Sequence, residues 1–403
     1  MHVRGLVYAV VGAGAMGRIA VRDLVETAPD GTTVLVCDRD ARVARAVARA
    51  QRSGRVRVRA AQVDARDPRS TARLLRGAAA FAVLSAVQHH FNLTVMDAAL
   101  AAGAHYCDLG GLFHVTRQQL KLDAAWKKAD RLALLGIGAA PGIVNVLARS
   151  AADTMDGVRE IHVYVAGVDR TPNRPSSALA TSYSIQTVLE EASLDAAVFT
   201  GGRHTFVPAM SGAVDVGFPA PVGRQRPACT LHSEVATLPL TYRRKGIREC
   251  TFRIAFGDEL VEKLAFLRAI GMLSGEPLQV GRSSVVPRDV LVKALARHAP
   301  AQSWTGIPDE YEILRVVVRG ERDGAAVEET VDCHVPGMPG WGLGIDVDTG
   351  CPPSIAMQMI ARGEITARGC VPPERAVPAE PFFRELELRR MTVRRQASST
   401  ARS

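Results

Sequence analysis

The decisive stretch is Val7-Tyr8-Ala9-Val10-Val11-Gly12-Ala13-Gly14-Ala15-Met16-Gly17, an apolar run that feeds straight into a glycine pattern and then a helix. In G-x-G-x-x-G each glycine has its own task. Gly12 permits the tight turn, Gly14 lets the backbone approach a pyrophosphate, and Gly17 lets the helix lie close on the strand. A phosphate at this turn meets the free N–H groups that open the helix, with Ala15 and Met16 in its first turn. The pattern is weak by itself in a chain with 35 glycines, and its neighbours are what strengthen it.

One βαβ unit later, Thr33-Val34-Leu35-Val36-Cys37 reads as a second buried strand that ends in Asp38. An acid about 20 residues beyond the glycines accepts hydrogen bonds from an adenosine ribose. Its charge repels a 2′-phosphate, so Asp38 points to NAD. Arg39 beside it is able to pair with such a phosphate, which keeps NADP open. The bland alternative is a glycine turn in a Rossmann-like domain that binds nothing.

With 403 residues, 47% hydrophobic and 23% charged, the chain is long enough for two domains with real cores. It enters a strand almost at once, which leaves no room for a signal peptide, and no apolar run is long enough to cross a bilayer. Seven cysteines without a C-x-x-C pair argue against a disulfide framework and a structural zinc. Cys333, His334 and Cys351 match no zinc spacing, so no metal is expected. A soluble, cytoplasmic protein with no membrane partner is the expectation. The net charge of +9 suggests a polyanion partner only until it is located. Arg389, Arg390, Arg394, Arg395 and Arg402 lie beyond Glu387, the last acid, so residues 391–403 read as a disordered, solvated tail. The remaining basic residues are scattered arginines without interleaved aromatics, which argues against nucleic acid.

Along the chain, Ala41 to Ala50 reads as a helix, and Arg55 to Ala60 alternates as a half-exposed strand. Asp64 follows it, as an adenine contact or as a cap for a helix that starts near Ser70. Ala80 to Val87, containing Ser85 and Ala86, is apolar enough to be buried on both faces. It delivers Gln88, His89 and His90 to the carboxyl edge of the sheet, where ligands of open parallel sheets bind. A helix over Leu93–Ala102 and a strand over His105–Cys107 then bring Asp108, followed by Gly110 and Gly111. A helix is expected over Arg117–Lys128, a strand over Arg131–Leu135, and a helix from Ile143 to Ala152.

By this point the chain resembles the saccharopine dehydrogenase family, most closely its lysine 6-dehydrogenase-like branch. The resemblance rests on Gly12 to Gly17, on AALAAGAHYCDLGG from Ala98 to Gly111, and on Gly138-Ala139-Ala140-Pro141-Gly142-Ile143-Val144-Asn145. It continues through Thr230 to Pro239 and through Thr349-Gly350 ahead of a helix that stops at Gly363. Gln88 stands where many relatives have a proline. The resemblance implies an α/β fold: a Rossmann dinucleotide-binding domain (1–140) and an α/β substrate and dimerisation domain with a mixed sheet (141–350). A segment over 351–390, with a helix over Ser354–Arg362, would return to the Rossmann domain. It also implies a homodimer and an amino-acid or amine substrate.

Hydride transfer between a nicotinamide and a carbon bearing nitrogen needs alignment and a proton acceptor for the amine. Asp108 and His90 are candidates at the strand ends, although Asp108 also fits an Asx turn with the glycines that follow. His232 and Glu234 share one face if that segment is extended, and they would meet an amine or simply each other. Gln88, Tyr183, Arg174, Arg243 and Thr349 are candidates for holding the substrate, arginine being suited to carboxylates by its fork. Pro336 to Gly344, with Trp341 at its centre, reads as a closing loop or a plain connection. The expected activity is oxidation of the side-chain amine of lysine or a related amino acid. The alternatives are a saccharopine- or carboxynorspermidine-type reductase joining an amine to a carbonyl compound, and a non-catalytic dinucleotide-binding scaffold or sensor.

Overall fold

The computed structural model describes every residue except 1–4, 52, 173–178, 180–183, 299–305 and 400–403. The apolar run at the start becomes β1 (Val7–Val11), followed by α1 (Ala15–Thr27), β2 (Thr33–Asp38), α2 (Ala41–Ala50), β3 (Arg57–Gln62), α3 (Pro68–Gly77) and β4 (Ala82–Ser85). Next come α4 (Asn92–Ala102), β5 (His105–Asp108), α5 (Leu112–Leu120), α6 (Asp123–Lys128) and β6 (Leu132–Leu134). With a late strand, Gly369–Val371, they build a seven-stranded sheet in the order late strand–β6–β5–β4–β1–β2–β3. Every neighbouring pair is parallel. The order reverses between β1 and β4, and that switch point is where such sheets bind ligands.

Local chemistry explains the boundaries. Asp40 caps α2 through the Arg42 N–H (2.8 Å), and Asp67 caps α3 through the Ser70 N–H (3.0 Å), so Asp64 is not the cap. β3 begins at Arg57, two residues later than expected, and the Arg55 side chain bonds Asp30 and the carbonyl of Glu26. The single helix expected over Arg117–Lys128 is two, since Asp123 accepts the Cys370 N–H (3.0 Å) and so ties the second helix to the late strand.

The second half contributes α7 (Ile143–Ala152), β7 (Gly157–Asp169), α8 (Ile185–Glu191), β8 (Ala196–Thr200), β9 (Arg203–Val207), β10 (Val216–Gly217), β11 (Arg224–Gln225) and β12 (Ala228–Cys229). Then follow α9 (Glu234–Thr241), β13 (Glu249–Ile254), α10 (Asp258–Ala269), β14 (Leu278–Val280), β15 (Ser283–Val285) and α11 (Pro287–Arg297). The chain closes with β16 (Glu310–Arg322), β17 (Ala325–Val335), α12 (Val347–Arg362), β18 (Gly369–Val371, the late strand), α13 (Pro373–Ala376), α14 (Ala379–Glu387) and β19 (Thr392–Ser399). The second sheet runs β19–β17–β16–β7–β13–β8–β9, with β12 on the end of β13. It is mixed: β7 and β13 are parallel, and the other pairs are antiparallel. Phe252, Val163 and Val316 share one row and one buried face, on which α7 and α9 pack.

Two expectations about the C-terminal region are corrected. The segment read as a disordered tail is β19 from Thr392 to Ser399, paired with β17 from His334↔Thr392 to Val327↔Ser399. Its polar composition hid the strand, because the ladder of backbone hydrogen bonds along β17 supplies the order that side-chain burial does not. Arg395 also donates to the Ser150 carbonyl (2.9 Å). The returning helix starts at Val347 and runs through Pro352 and Pro353, residues that normally argue against a helix interior.

α12 packs on α1, where a Cβ on Gly350 would stand 2.5 Å from Ile19, so only glycine permits the approach. The same seam holds a buried ion pair. Arg389, 3% exposed, donates to both oxygens of Asp23 (2.9 Å each), and Ser354 donates to Asp23 as well (2.6 Å). Replacing Arg389 by Met leaves Asp23 buried without its cation, and the expected loss is about 3–5 kcal/mol of unfolding free energy. Urea denaturation of Arg389→Met checks this; a loss below about 1 kcal/mol would show that the pair does not hold the returning helix.

Candidate active site between the two domains

The glycine turn has the shape that its residues predict. Gly12 has φ +104, and a Cβ there would lie 2.5 Å from the Ala86 carbonyl oxygen; on Gly17 it would lie 1.9 Å from the Gly12 carbonyl oxygen. At Gly14 the space is open, with nothing within 4 Å, and no side chain caps α1. Gly14 and Ala15 are exposed and Met16 is half-buried. The Asp38 carboxylate accepts the Ala13 N–H and the Asp40 N–H, both at 2.9 Å, which sets its charge against the turn. An open cradle, an uncapped helix start and this carboxylate fit a dinucleotide, whose pyrophosphate would be held by the backbone at Gly14 and Ala15.

Other expected cofactor contacts have different occupations. Ala86 backs Gly12 and donates to the Val11 carbonyl (2.8 Å). Ser85 is buried, and its hydroxyl donates to Asn92 (3.0 Å). Arg39 is exposed. Asp64 is bonded by Arg66, whose guanidinium and N–H hold its carboxyl down at about 2.

Asp108 proves to be a fastener rather than a proton acceptor. It is fully buried, and four groups donate to it: Tyr106 Oη (2.9 Å), Gln119 Nε2 (2.6 Å), Gly110 N (2.9 Å) and Gly136 N (2.7 Å). Burial pushes the carboxyl up against the pull of these donors. With its oxygens saturated from inside, it has nothing to offer a substrate amine. The Gly110 bond is the Asx turn weighed for it.

At the β4 end, His90 is exposed and rests against the Phe91 ring (4.1 Å between centroids). The residues that reach the second domain are Gln88, which donates to Gln186, and His89, whose Nδ1 lies 3.6 Å from Glu190. Burial pushes His89 below the ordinary histidine range.

The second domain answers with a buried triad. His232 stacks on Phe252 (3.6 Å, 14°); its Nδ1 lies 3.2 Å from Glu234 Oε2 and its Nε2 3.2 Å from Glu191 Oε1. Burial alone would lower the imidazole, but the two carboxylates outweigh it and raise it to about 10. His232 is therefore an imidazolium at neutral pH and no proton acceptor, which corrects the expectation for it. Glu234 opens α9 rather than extending a strand, so the pair meets around a turn. Its Oε1 is buried without a hydrogen-bond partner. Next to it, Ser233 donates to the Leu112 carbonyl (2.9 Å) and accepts from the Gly111 N–H (3.3 Å), docking this turn on the β5 end.

Sequence reasoning missed Glu190, Glu191 and Arg288, and it placed His89 at the sheet edge without giving it a role. Glu190 and Glu191 are buried at the end of α8, directly after the buried Val188 and Leu189; acids adjoining so apolar a pair were the available signal. Arg288, whose Nη2 lies 3.6 Å from Glu190, had none. Among the expected substrate contacts, Arg174 and Tyr183 lie outside the described residues. Arg243 is exposed beyond the far end of α9, about 12 Å of helix from Glu234. Thr349 lies in α12 beside Gly138, its hydroxyl bonded to Asp348 (3.0 Å). The loop around Trp341 is tied down, since Arg22 stacks on its ring (4.5 Å) and donates to its carbonyl (2.9 Å).

The profile of the saccharopine dehydrogenase NADP binding domain matches residues 8–134, and that of the saccharopine dehydrogenase C-terminal domain matches residues 138–391. The chain belongs to the saccharopine dehydrogenase family. A nicotinamide dinucleotide is accordingly its cofactor class. Carboxyaminopropylagmatine dehydrogenase from Synechocystis sp. is 24% identical over 94% of this chain and 94% of its own. Carboxynorspermidine synthase from Vibrio cholerae is 26% identical over 81% of this chain and 80% of its own. Among solved structures, saccharopine dehydrogenase (L-Glu forming) from Saccharomyces cerevisiae superposes with a TM-score of 0.72 at 17% identity, covering 98% of this chain and 100% of that one, which shows a shared fold. No described helix is long and apolar enough to cross a membrane.

The raised pKa of His232 has a stability consequence. The folded group binds its proton up to about pH 10, while the unfolded one releases it near 6.5. Its contribution is therefore complete below about pH 6.5 and falls as pH rises toward about 10. The difference in unfolding free energy between wild type and His232→Gln is expected to shrink steadily across that window; a pH-independent difference would mean that the ring is not held charged.

Proposed function

We propose that this family member catalyses reversible, nicotinamide-linked hydride transfer at the C–N bond of an amine that carries a carboxylate, the oxidised partner being an imine. The observation that carries this reading is the Glu191–His232–Glu234 triad, docked through Ser233 on the β5 end, with Glu234 Oε1 buried and free of partners. When bound, the nicotinamide supplies or accepts the hydride at carbon. The protein has to manage the nitrogen. A protonated amine cannot release hydride from its carbon, so the ammonium proton must first move to an acceptor, and Glu234 Oε1 is the group to take it. In the reverse direction hydride reaches the carbon of the protonated imine, and the same carboxyl then returns its proton to the neutral amine nitrogen.

His232 acts as a positioning residue here. Its two ring N–H groups hold Glu191 and Glu234 at fixed places, and Glu190 adds a further carboxylate. Three carboxylates against His232 and Arg288 leave a net negative pocket, suited to a cationic amine. Both named relatives are enzymes of carboxylated polyamine-type compounds by name, and they match across both domains. That favours a secondary amine joined to a carboxyalkyl group over the primary side-chain amine of lysine. The proposal includes a homodimer, which sedimentation in solution checks, and NAD as the preferred cofactor, because Asp38 faces the cofactor turn.

The test is a panel of L-lysine, L-ornithine, diamines, and amine plus keto-acid or amino-aldehyde pairs, followed by absorbance of the reduced cofactor. Turnover of amine–carbonyl pairs but not of free lysine is expected. Turnover of lysine alone would make it a lysine-type dehydrogenase, and tight dinucleotide binding without any turnover would leave a scaffold or sensor. Glu234→Gln should lower kcat by about 100-fold or more while dinucleotide affinity stays unchanged; an unaffected kcat would remove Glu234 from the chemistry. Asp38→Ala should shift the ratio of NADH to NADPH affinity toward NADPH by about tenfold, roughly 1.4 kcal/mol. Fluorescence titration reads that ratio, and no movement would refute the cofactor preference.

A further inference from the structure

A carboxylated substrate needs a cation to hold its carboxylate; of the arginines that the sequence suggests, Arg174 lies outside the described residues. Arg243 is exposed beyond α9. Arg288 is different. It sits in the first turn of α11, within an excursion of the second domain formed by α10, the β14–β15 hairpin and α11. Much of this excursion is solvent-facing, with Phe266, Leu278 and Val280 exposed. What seats it is a small cluster, including Leu264 and Leu273, that packs on Val188 and Leu189 of α8. From there Arg288 reaches inward and is only 16% exposed. Gly275 makes room for it, since a Cβ at that place would lie 2.8 Å from Arg288 Nη2.

The guanidinium is held but not satisfied. Its contact with Glu190, at 3.6 Å from Nη2 to Oε1, is longer than a hydrogen bond, and its Nε is buried with no partner. A buried, unpaired N–H of a charged group is costly unless something else meets it. The Nε–Nη2 edge is the one that receives a carboxylate in a two-pronged fashion. Through Glu190, which contacts His89, Arg288 is linked to the β4 end, and its charge adds to the lowering of the His89 pKa. Glu190 thus orients the guanidinium, while Glu234, across the triad, is left for the amine.

We propose that Arg288 binds the substrate's carboxylate through its Nε–Nη2 edge and so selects carboxylated amines over plain amines, a reading that rests on the function proposed above. The excursion then has a purpose in the site, which is to deliver this residue.

The experiment uses the full-length chain with Arg288→Lys and Arg288→Gln. NADH affinity and melting temperature serve as controls for folding and should be unchanged. For each carboxylated amine that the wild type turns over, kcat/KM is compared with that of its counterpart lacking the carboxylate, for example a secondary amine bearing a carboxyalkyl group against the same amine bearing the plain alkyl group. The wild-type preference for the carboxylate should fall at least 50-fold in Arg288→Gln, mainly through KM, and less in Arg288→Lys. Free guanidinium should restore part of the preference to Arg288→Ala. An unchanged preference, or equal loss on both members of a pair, overturns the assignment. Independently of turnover, calorimetry with glutarate on the NADH-loaded protein reads the anchor itself. Glutarate should bind the wild type and bind Arg288→Gln at least tenfold more weakly; equal binding, or none by the wild type, overturns the proposal. Failure of every amine to react, with glutarate still dependent on Arg288, would instead condemn the reaction assigned above.

Discussion

Asp108 accepts hydrogen bonds from Tyr106, Gly110, Gln119 and Gly136, and much of the crevice depends on that convergence. The bonds to Gly110 and Gly136 set the turns that leave β5 and β6. Gly110 in turn accepts Asn92, which receives the Ser85 hydroxyl at the end of β4. Gly111 then gives its N–H to Ser233, so the turn that carries Glu234 is seated by a chain of bonds that begins at one buried carboxylate. Such a group is stable only because each oxygen is met by fixed donors; removing them would leave a desolvated charge.

The same rule governs the other buried charges, with different results for chemistry. Asp23 is met by Arg389 and Ser354, and the outcome is a closed structural seam between α1 and the returning helix. His232 is met on both ring nitrogens, which locks its proton in place. Glu234 Oε1 and Arg288 Nε belong, with Glu190 Oε2 and Glu329 Oε2, to the described buried atoms that have no hydrogen-bond partner.

Much of the nucleotide domain was legible because its signals are local. Continuous apolar strands, glycines at set spacing and caps such as Asp40 each act within a few residues. The second helix was read with its observed bounds, Ala41–Ala50, for this reason. The failures were also physical. β19 has little apolar character and is held by backbone pairing with a distant strand, and α12 tolerates two prolines because its surroundings bury it on all sides. Propensity could not report either case.

The site divides in the same way. The sequence by itself determined the dinucleotide cradle, the carboxylate that ends β2, and the presence of His232 and Glu234 in one short segment, since those features follow from covalent spacing. Only the tertiary structure decided which acids are spent and which are free. Asp108 and His232 looked reactive and are saturated, while Glu190, Glu191 and Arg288 looked ordinary and are brought together from α8 and α11. The reason is that a group's chemistry depends on burial and on its neighbours' charges within a few ångströms. The deciding ones, such as Gly136 for Asp108, Glu191 for His232 and Glu190 for Arg288, lie tens of residues away along the chain, at distances that no local pattern encodes.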